Sequence, residues 1–500
     1  MKQIHTIERG YECEMAGPLA TLPDNRVLWI TQGPECPSRQ VRDVVRAELR
    51  ESTDNGLSWS RPRVILKGTK RAAPYIWRLL RLFSGKLLLI GTHDGGEDLQ
   101  NQANSLNSGF TMSSIDNGAT WSAPKDIERA ERYLGPGTAC AIQLSSGRIV
   151  FPFAYMTRSW GKGDVSGVYS DDEGITWQRS PSNIDIGGSG YESGAEEPSL
   201  VELPDGRLWM LIRAQSGFLW ESFSPDQGAT WEPARPTRLP SSNAPAGILK
   251  LSDGKIIIVW NNTVANRKSR AYARQNLVMA ATRDGKDFSG FREITHTAYP
   301  TPTDIYWCDT YPFLTEAPDG TILVAFNHGN WDINQAKMAR ITPDWLEEKY
   351  IRDDFRDGRI DWCCIGTGAG ASRMVPADDN QPGSWLEVGR YRRDGSGITR
   401  NFPLLSKGSF TLNASILKPE ACLLWHNSFL LPGNYREACL RIRFAENGQV
   451  FIAAPKPKIS QMNRGFAHKL SFACPTYPVK DELLYPGRIE AGRPFTLKII

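Results

Sequence analysis

The sequence has 500 residues, of which 40% are hydrophobic and 23% charged, with a formal net charge of +4. This is a globular composition long enough for more than one domain, and the small, dispersed charge argues against a nucleic-acid partner. No apolar run reaches the roughly 18–20 residues that a membrane-spanning helix needs.

The first residues, MKQIHTIERGYECEM, lack the apolar core and the small-residue cleavage site of a secretion signal. The nine cysteines are an odd number at irregular spacing, without a Cys-x-x-Cys pair. We therefore expect reduced thiols in a cytoplasmic protein, or a secreted one if a signal has been removed. His, Asp and Cys show no metal-ligand spacing, so neither a metal nor a cofactor is expected.

A tight turn followed by an apolar strand occurs six times in the first two thirds of the chain. A polar turn, most often ending in Gly, followed by a β-branched, aliphatic or aromatic run is typical of a hairpin. The copies are LPDNRVLWI (22–30), FSGKLLLI (83–90), LSSGRIVFPF (144–153), LPDGRLWMLIR (203–213), LSDGKIIIVW (251–260) and APDGTILVAF (317–326).

A second motif, Ser-x-Asp-x-Gly-x-(Ser/Thr)-Trp, follows each of the first four hairpins. We expect its Gly to supply a positive φ, its Asp to accept backbone N–H bonds, and its Trp to pack between sheets. Four equivalent units do not each need a catalytic group, so the motif is interpreted as structural. The copies are STDNGLSWS (52–60), SIDNGATWS (114–122), SDDEGITWQ (170–178) and SPDQGATWE (224–232), with a degenerate TRDGKDF (282–288) after the fifth hairpin.

Each unit is a small antiparallel sheet that cannot bury its faces alone, so the units must pack on one another. Radial closure of such sheets produces a β-propeller. The sequence therefore predicts an all-β fold with a six-bladed β-propeller over residues 1–365.

The pattern changes after residue 365. The Gly/Ser/Ala-rich and polar residues 366–382 indicate a linker. Residues 383–500 contain short alternating runs such as SFTLNASIL, CLRIRFA and QVFIAA, which predict a β-sandwich. This segment resembles the lectin-like jelly rolls attached to propeller glycosidases, and it either binds carbohydrate or covers one side of the propeller. The sequence stops within the strand-like RPFTLKII, so the sandwich is expected to be incomplete.

The repeated motif is that of the Asp box, or BNR repeat, and the arrangement over about residues 10–350 resembles the sialidase (neuraminidase) superfamily of six-bladed propellers. Three features in the fourth to sixth units support this resemblance. The stretch EEPSLVELPDGRLWMLIR places Glu197 sixteen residues before Arg213, Arg274 lies eight residues before Thr282, and Tyr311 opens YPFLTEAPDG.

The resemblance implies a site for a sugar that bears a carboxylate on its anomeric carbon. Arg213 and Arg274 would clamp that carboxylate through bidentate, charge-assisted hydrogen bonds. Tyr311 would be the nucleophile and Glu197 its base, because an anionic nucleophile would repel the substrate carboxylate. The structural alternative is an Arg–Glu ion pair with Tyr311 as an ordinary strand aromatic.

The first unit departs from the family pattern. Where sialidases have the first arginine of a triad, this chain has Met15, and the glutamate that orients that arginine is replaced by Asn327. The cleft therefore has two of the three expected arginines, with Arg78 a candidate to replace the third. The acid/base expected before the first Asp box is Asp43, and Asp304, Asp309 and His328 are alternatives.

These features favour an exo-acting glycoside hydrolase of sialidase type that removes a terminal acidic sugar, most simply α-linked sialic acid, from a glycan. One alternative is a hydrolase for a different ulosonic acid, uronic acid or other sugar, which Met15 and Asn327 suggest. The other is a glycan-binding propeller without catalysis, which would not need Tyr311 and Glu197 as a pair.

Overall fold

The structure is a computed structural model of the chain. In the propeller region it describes residues 2–6, 15–34, 45–68, 73–94, 108–129, 133–156, 161–188, 192–216, 218–262, 274, 276–296, 308–329 and 334–348. Beyond the propeller it describes residues 363–365, 372–376, 383–388, 397–399, 410–415, 421–427, 438–445, 447–453, 482–485, 488–490 and 493–499.

Within these ranges, 26 strands form the six blades of an all-β propeller, which confirms the predicted architecture. Each blade is a mainly antiparallel sheet, and in blades 1 to 5 its strands follow one another in the chain. In chain order the strands are β1 (Lys2–Thr6); β2 (Leu19–Thr21), β3 (Val27–Pro34), β4 (Val45–Ser52) and β5 (Arg63–Lys67) of blade 1; β6 (Ala73–Arg81), β7 (Leu87–Asp94), β8 (Ser108–Ser114) and β9 (Lys125–Arg129) of blade 2; β10 (Tyr133–Gly135), β11 (Ile142–Gln143), β12 (Ile149–Met156), β13 (Lys162–Ser170), β14 (Gln178–Arg179) and β15 (Ser193–Gly194) of blade 3; β16 (Glu196–Glu202), β17 (Leu208–Arg213), β18 (Phe218–Ser224) and β19 (Arg235–Pro240) of blade 4; β20 (Gly247–Lys250), β21 (Ile256–Trp260), β22 (Asn276–Thr282) and β23 (Phe288–His296) of blade 5; and β24 (Cys308–Glu316), β25 (Ile322–Gly329) and β26 (Asn334–Ile341) of blade 6.

The six predicted hairpins are the turns that join the inner strand of each blade to the next strand. The blades are closed into a ring by β1, which pairs antiparallel with β26 and so supplies the outer strand of blade 6. Two distant parts of the chain are thereby held in one sheet, with Ile4 opposite Ala339.

The Asp boxes are the turns between the third and fourth strands, and their hydrogen bonds are those expected from the sequence. In the first copy, Asp54 Oδ1 accepts the backbone N–H of Ser58 at 2.9 Å, and Ser52 Oγ accepts the N–H of Gly56 at 2.8 Å. Gly56 has φ +80°, a conformation that costs glycine little. The motif therefore has the structural role predicted for it.

The Asp-box glycines also face the preceding blade. A Cβ atom at Gly118 would lie 3.2 Å from Leu28 in blade 1, and one at Gly228 would lie 2.6 Å from Val150 in blade 3. Between the sheets lie fully buried aromatic side chains, including Trp29, Trp209 and Trp260. Close packing of this kind holds neighbouring blades at a fixed separation.

A short helix, α1 (Pro343–Glu347), follows blade 6. Among the described residues, no helix is long and apolar enough to cross a membrane. The strands beyond α1 form three two-stranded sheets and one four-stranded sheet, and these do not show a β-sandwich. The sandwich over 383–500 and the linker over 366–382 stay predictions. The strands are β27 (Cys363–Ile365), β28 (Ser372–Pro376), β29 (Gly383–Val388), β30 (Gly397–Thr399), β31 (Phe410–Ala414), β32 (Ala421–Asn427), β33 (Ala438–Phe444), β34 (Val450–Ala453), β35 (Glu482–Tyr485) and β36 (Phe495–Ile499).

Candidate active site

Tyr311 and Glu197 meet between two blades that are not neighbours. Glu197 lies near the start of the inner strand of blade 4, and Tyr311 near the start of the inner strand of blade 6. The phenol of Tyr311 donates a hydrogen bond to Glu197 Oε1 at 2.6 Å. Side chains from blades 4 and 6 can touch only near the axis of the ring, so this contact lies at the centre of the propeller.

Both residues have an unusual backbone conformation. The φ of Glu197 is +40° and that of Tyr311 is +55°, and each lies within a β-bulge of its inner strand. A bulge redirects a side chain away from the regular alternation of a strand. Residues other than Gly in this φ region cost about 1–3 kcal/mol each and are concentrated at functional sites. The strain here accompanies the redirection of both side chains toward each other.

Arg213 ends the second strand of blade 4, opposite Glu196 in the sheet register, and its side chain is only 2% exposed. Its guanidinium is surrounded by carboxylates. Nη1 bonds to Glu197 Oε2 at 2.7 Å, Nη2 to Glu192 Oε2 at 2.9 Å, and Nε lies 3.1 Å from Glu196 Oε2. Nη1 also lies 3.5 Å from the Tyr311 hydroxyl. One cation thus links three glutamates to the candidate nucleophile.

Asn243 joins the two predicted arginines. Its Oδ1 accepts a hydrogen bond from Arg213 Nε at 2.8 Å, and its backbone oxygen accepts from Arg274 Nε at 3.1 Å and from Nη2 at 2.5 Å. The guanidinium carbon of Arg274 is 5.6 Å from the centroid of the Tyr311 ring. The structure therefore brings Tyr311, Glu197, Arg213 and Arg274 together.

Burial and the charges of neighbouring groups shift the pKa values of several of these side chains. Burial raises the pKa of Glu196 to about 8 and also raises the pKa of Glu192. For Tyr311, burial and then the charge of Glu197 raise the pKa above its usual value. Burial opposes the charge on Arg213, but the facing carboxylates outweigh it, and the pKa of Arg213 lies well above its usual value. At neutral pH, Glu196 is thus a neutral acid beside a charged arginine.

Arg78, the candidate for the third arginine, bonds to a neighbouring blade. It lies at a bulge in the inner strand of blade 2, and its Nε donates to the backbone oxygen of Ala141 in blade 3 at 3.0 Å. Burial lowers the pKa of Arg78. It is the preceding residue, Trp77, whose ring approaches Tyr311, at 6.2 Å between centroids, while Trp77 Nε1 donates to Thr92 Oγ1 at 2.8 Å.

Of the acid/base candidates, Asp43 and Asp304 lie outside the described residues. Asp309 and His328 are paired across blade 6, with His328 Nδ1 2.7 Å from Asp309 Oδ1, and Asp309 also accepts a hydrogen bond from Thr295 Oγ1 at 2.5 Å. Asp309 is therefore a buried carboxylate with two hydrogen-bonding partners.

The two departures from the family pattern lie side by side. The backbone N–H next to Met15, that of Ala16, donates to Asn327 Oδ1 at 2.7 Å. The side-chain oxygen of Asn327, in blade 6, thus accepts a backbone N–H group at the start of blade 1. Within the described ranges, no group of three or more His, Cys, Asp or Glu side chains has a geometry that could hold a metal ion.

Glu192, Glu196, Asn243 and Trp77 were missed by the sequence reasoning. The acidic run in YESGAEEPSL, directly before the strand that carries Glu197, was the available signal for the two glutamates. Nothing in the sequence distinguishes Asn243 or Trp77 from other polar loop residues and strand aromatics.

The fold of the propeller matches solved sialidases. NanB sialidase from Streptococcus pneumoniae is 16% identical, with a TM-score of 0.53 over 68% of this chain and 70% of that one. A sialidase from Trypanosoma rangeli, solved as a covalent intermediate with 2,3-difluorosialic acid, is 13% identical, with a TM-score of 0.51 over 99% of this chain and 86% of that one. A protein of unknown function from Dyadobacter fermentans is 17% identical, with a TM-score of 0.52 over 67% of this chain and 98% of that one.

At these identities the structural matches concern the fold alone. No curated protein matches the sequence significantly. The model of one protein family, the BNR repeat-like domain, matches residues 44–324, which is more than half of the chain. The six-bladed propeller and its Asp boxes agree with that match, and the chain belongs to the BNR repeat-like domain family.

Proposed function

We propose that the protein is an exo-acting glycoside hydrolase of sialidase type, with Tyr311 as nucleophile and Glu197 as its base. The observation that carries this proposal is the 2.6 Å hydrogen bond from the Tyr311 hydroxyl to Glu197 Oε1. A phenol is a weak nucleophile at neutral pH unless a neighbouring base takes its proton. A binding protein would have no use for this pair at strained backbone positions.

In the first step, the Tyr311 oxygen attacks the anomeric carbon and its proton passes to Glu197. The bond from the anomeric carbon to the glycosidic oxygen breaks, and a general acid protonates the leaving oxygen. In the second step, water attacks the anomeric carbon and the bond to Tyr311 breaks. The proton on Glu197 then returns to the phenolate, and the deprotonated general acid takes the proton of the water.

Asp43 is the candidate for the general acid, from its place before the first Asp box. Asp304, Asp309 and His328 are the alternatives. The contacts of Asp309 with Thr295 and His328 support a structural role for that carboxylate. His328 is only partly buried and is held by Asp309, so it is the better placed of these two.

The proposed substrate is the terminal sugar of a glycan, most simply the acidic sugar α-linked sialic acid, with a different ulosonic acid, uronic acid or other sugar as the alternative. Arg213 and Arg274 are the arginines that the resemblance assigns to substrate binding, and Arg78 is the candidate for the third. Arg274 lies against the ring of Tyr311, which places its cation within reach of a sugar held at the nucleophile.

Hydrolysis of aryl glycosides tests the proposal. The purified protein is incubated with a panel that contains an aryl α-sialoside and aryl glycosides of uronic acids and neutral hexoses, and aryl alcohol release is measured. Release by the native protein but not by Tyr311→Phe would support the proposal. Failure to hydrolyse any glycoside, combined with calorimetric binding of glycans, would favour the non-catalytic propeller instead.

A further inference from the structure

We infer that Arg213 positions Glu197 instead of binding the substrate, and that the sugar reacting at Tyr311 carries hydrogen, not a carboxylate, on its anomeric carbon. The substrate would then be an aldosyl group, such as a uronic acid or a neutral hexose, and not an ulosonic acid. This inference rests on the proposed function and chooses among the sugars that it allows.

The guanidinium of Arg213 already has hydrogen-bond acceptors from the protein. Each of its three nitrogen atoms has an acceptor from the protein: Asn243 for Nε, Glu197 for Nη1 and Glu192 for Nη2. A guanidinium binds a carboxylate bidentately through two parallel N–H groups. To use Arg213 in that way, a substrate carboxylate would have to displace at least one of these side chains.

Charge also disfavours a substrate carboxylate at Arg213. Glu192 and Glu196 are each 1% exposed, so an anion brought to Arg213 would enter a buried cluster that already contains three carboxyl groups. The charge of Arg213 is matched there by the side chains of the protein itself. A further negative charge next to Glu197 would be desolvated beside the carboxylates that already surround Arg213, which is unfavourable.

The other place to consider is the junction of blades 1 and 6. Residue 15 is a methionine, and the Asn327 amide oxygen accepts the backbone N–H of Ala16 at 2.7 Å. Neither of these side chains carries a positive charge that could stabilise an anion. Among the described residues, the places for a carboxylate at Arg213 and at residues 15 and 327 are therefore already matched or neutral.

The arrangement gives Arg213 a different role. Its Nη1 holds Glu197 Oε2 at 2.7 Å, and the other oxygen of the same carboxylate faces the Tyr311 hydroxyl at 2.6 Å. With Oε2 fixed, the orientation of the carboxylate is set and Oε1 is directed at the proton it must accept. Arg213 acts through Glu197 and is a positioning residue.

Covalent trapping tests the sugar class. 2-Deoxy-2-fluoro glycosyl fluorides of glucuronic acid, galactose and glucose, in both anomers, are compared with 2,3-difluorosialic acid. In each case the Tyr311 oxygen would bond to the anomeric carbon, fluoride would leave, and the phenolic proton would pass to Glu197. Intact-mass measurement and peptide mapping locate the label, Tyr311→Phe is the negative control, and the Trypanosoma rangeli sialidase is the positive control for the sialic acid probe.

We expect an aldosyl probe to label Tyr311 and 2,3-difluorosialic acid to leave the protein unlabelled under conditions that label the control sialidase. Labelling of Tyr311 by 2,3-difluorosialic acid would overturn the inference and leave the proposed function intact. Labelling by neither kind of probe would overturn the proposed function, and the inference with it.

Two variants test the positioning role of Arg213, using the best aryl substrate found. Arg213→Lys keeps the charge but cannot bond to Glu197, Glu192 and Asn243 together, so kcat should fall at least about tenfold while KM changes less than about threefold.

Glu192→Gln keeps the shape of the side chain and leaves the bond from Arg213 Nη1 to Glu197 in place, so kcat should fall less than in Arg213→Lys. A rise in KM at constant kcat in Arg213→Lys would identify a substrate clamp and overturn the inference.

Discussion

Tyr311 and Glu197 approach each other from blades 6 and 4, and each is placed by a β-bulge at which its own φ is positive. Their 2.6 Å hydrogen bond therefore depends on two separate irregularities in otherwise regular inner strands. Of the contacts in this site, the one between Tyr311 and Glu197 is the hardest to explain by packing alone.

The first prediction is that Tyr311 and Glu197 act as a unit. Tyr311→Phe removes one hydroxyl and should lower kcat by at least about a hundredfold, and Glu197→Gln should lower it by about 10²–10⁴-fold. The double variant should be hardly slower than Tyr311→Phe alone, because a base without its nucleophile has no function. Steady-state kinetics on one aryl glycoside, with circular dichroism to verify the fold, measures this. Fully multiplicative losses would contradict the proposed mechanism.

The sequence predicted those parts of the structure that depend on local pattern. The six hairpins and the Asp-box turns follow from short-range turn chemistry, as Gly56 and Asp54 illustrate. The residue spacings that support the family resemblance located Tyr311, Glu197, Arg213 and Arg274. Asn243 was not predictable, because it contacts Arg213 from the connection between β19 and β20, a segment without regular structure. The two β-bulges could not be predicted from the sequence either, because one extra residue in a strand leaves its hydrophobic pattern nearly intact.

The second prediction concerns packing between blades. Gly228 has φ +82°, and a Cβ there would lie 2.6 Å from a methyl group of Val150, so Gly228→Ala should reduce the free energy of unfolding by strain and by overlap. Gly206 is the matched control, because it has the same φ but nothing within 4 Å of a new Cβ. Gly206→Ala should cost about 1 kcal/mol, and Gly228→Ala about 1–3 kcal/mol more. Equal losses in chemical denaturation would show that the contact with Val150 is unimportant.

The third prediction concerns acid stability. Hydrogen bonds from Thr120 and then Ser114 lower the pKa of Asp116 to about 2, below the value of 3.8 expected in the unfolded chain. The lowered pKa means that the stabilisation is complete above about pH 4 and is lost as the pH falls through about 2. Acid titration of the unfolding free energy should show a shallower decline for Asp116→Asn than for the native protein in this window. Parallel curves would contradict the prediction.

The fourth prediction concerns Glu196, whose pKa burial raises from 4.5 to about 8. Between these two values the unfolded chain has released this proton and the folded protein still holds it. The contribution of Glu196 to the free energy of unfolding is therefore greatest below about pH 4.5, and it falls as the pH rises toward 8. Glu196→Gln keeps the size of the side chain and cannot ionise, so the variant should gain stability relative to the native protein across this window, by a few kcal/mol in total at about 1.4 kcal/mol per pKa unit. Urea denaturation at pH 5, 6.5 and 8 measures the difference, and Glu202→Gln, at the partly exposed end of the same strand, is the control for the loss of a carboxylate. If the difference between native protein and Glu196→Gln is constant over this range, Glu196 is ionised in the folded protein, and the charge balance around Arg213 must then include a third anion.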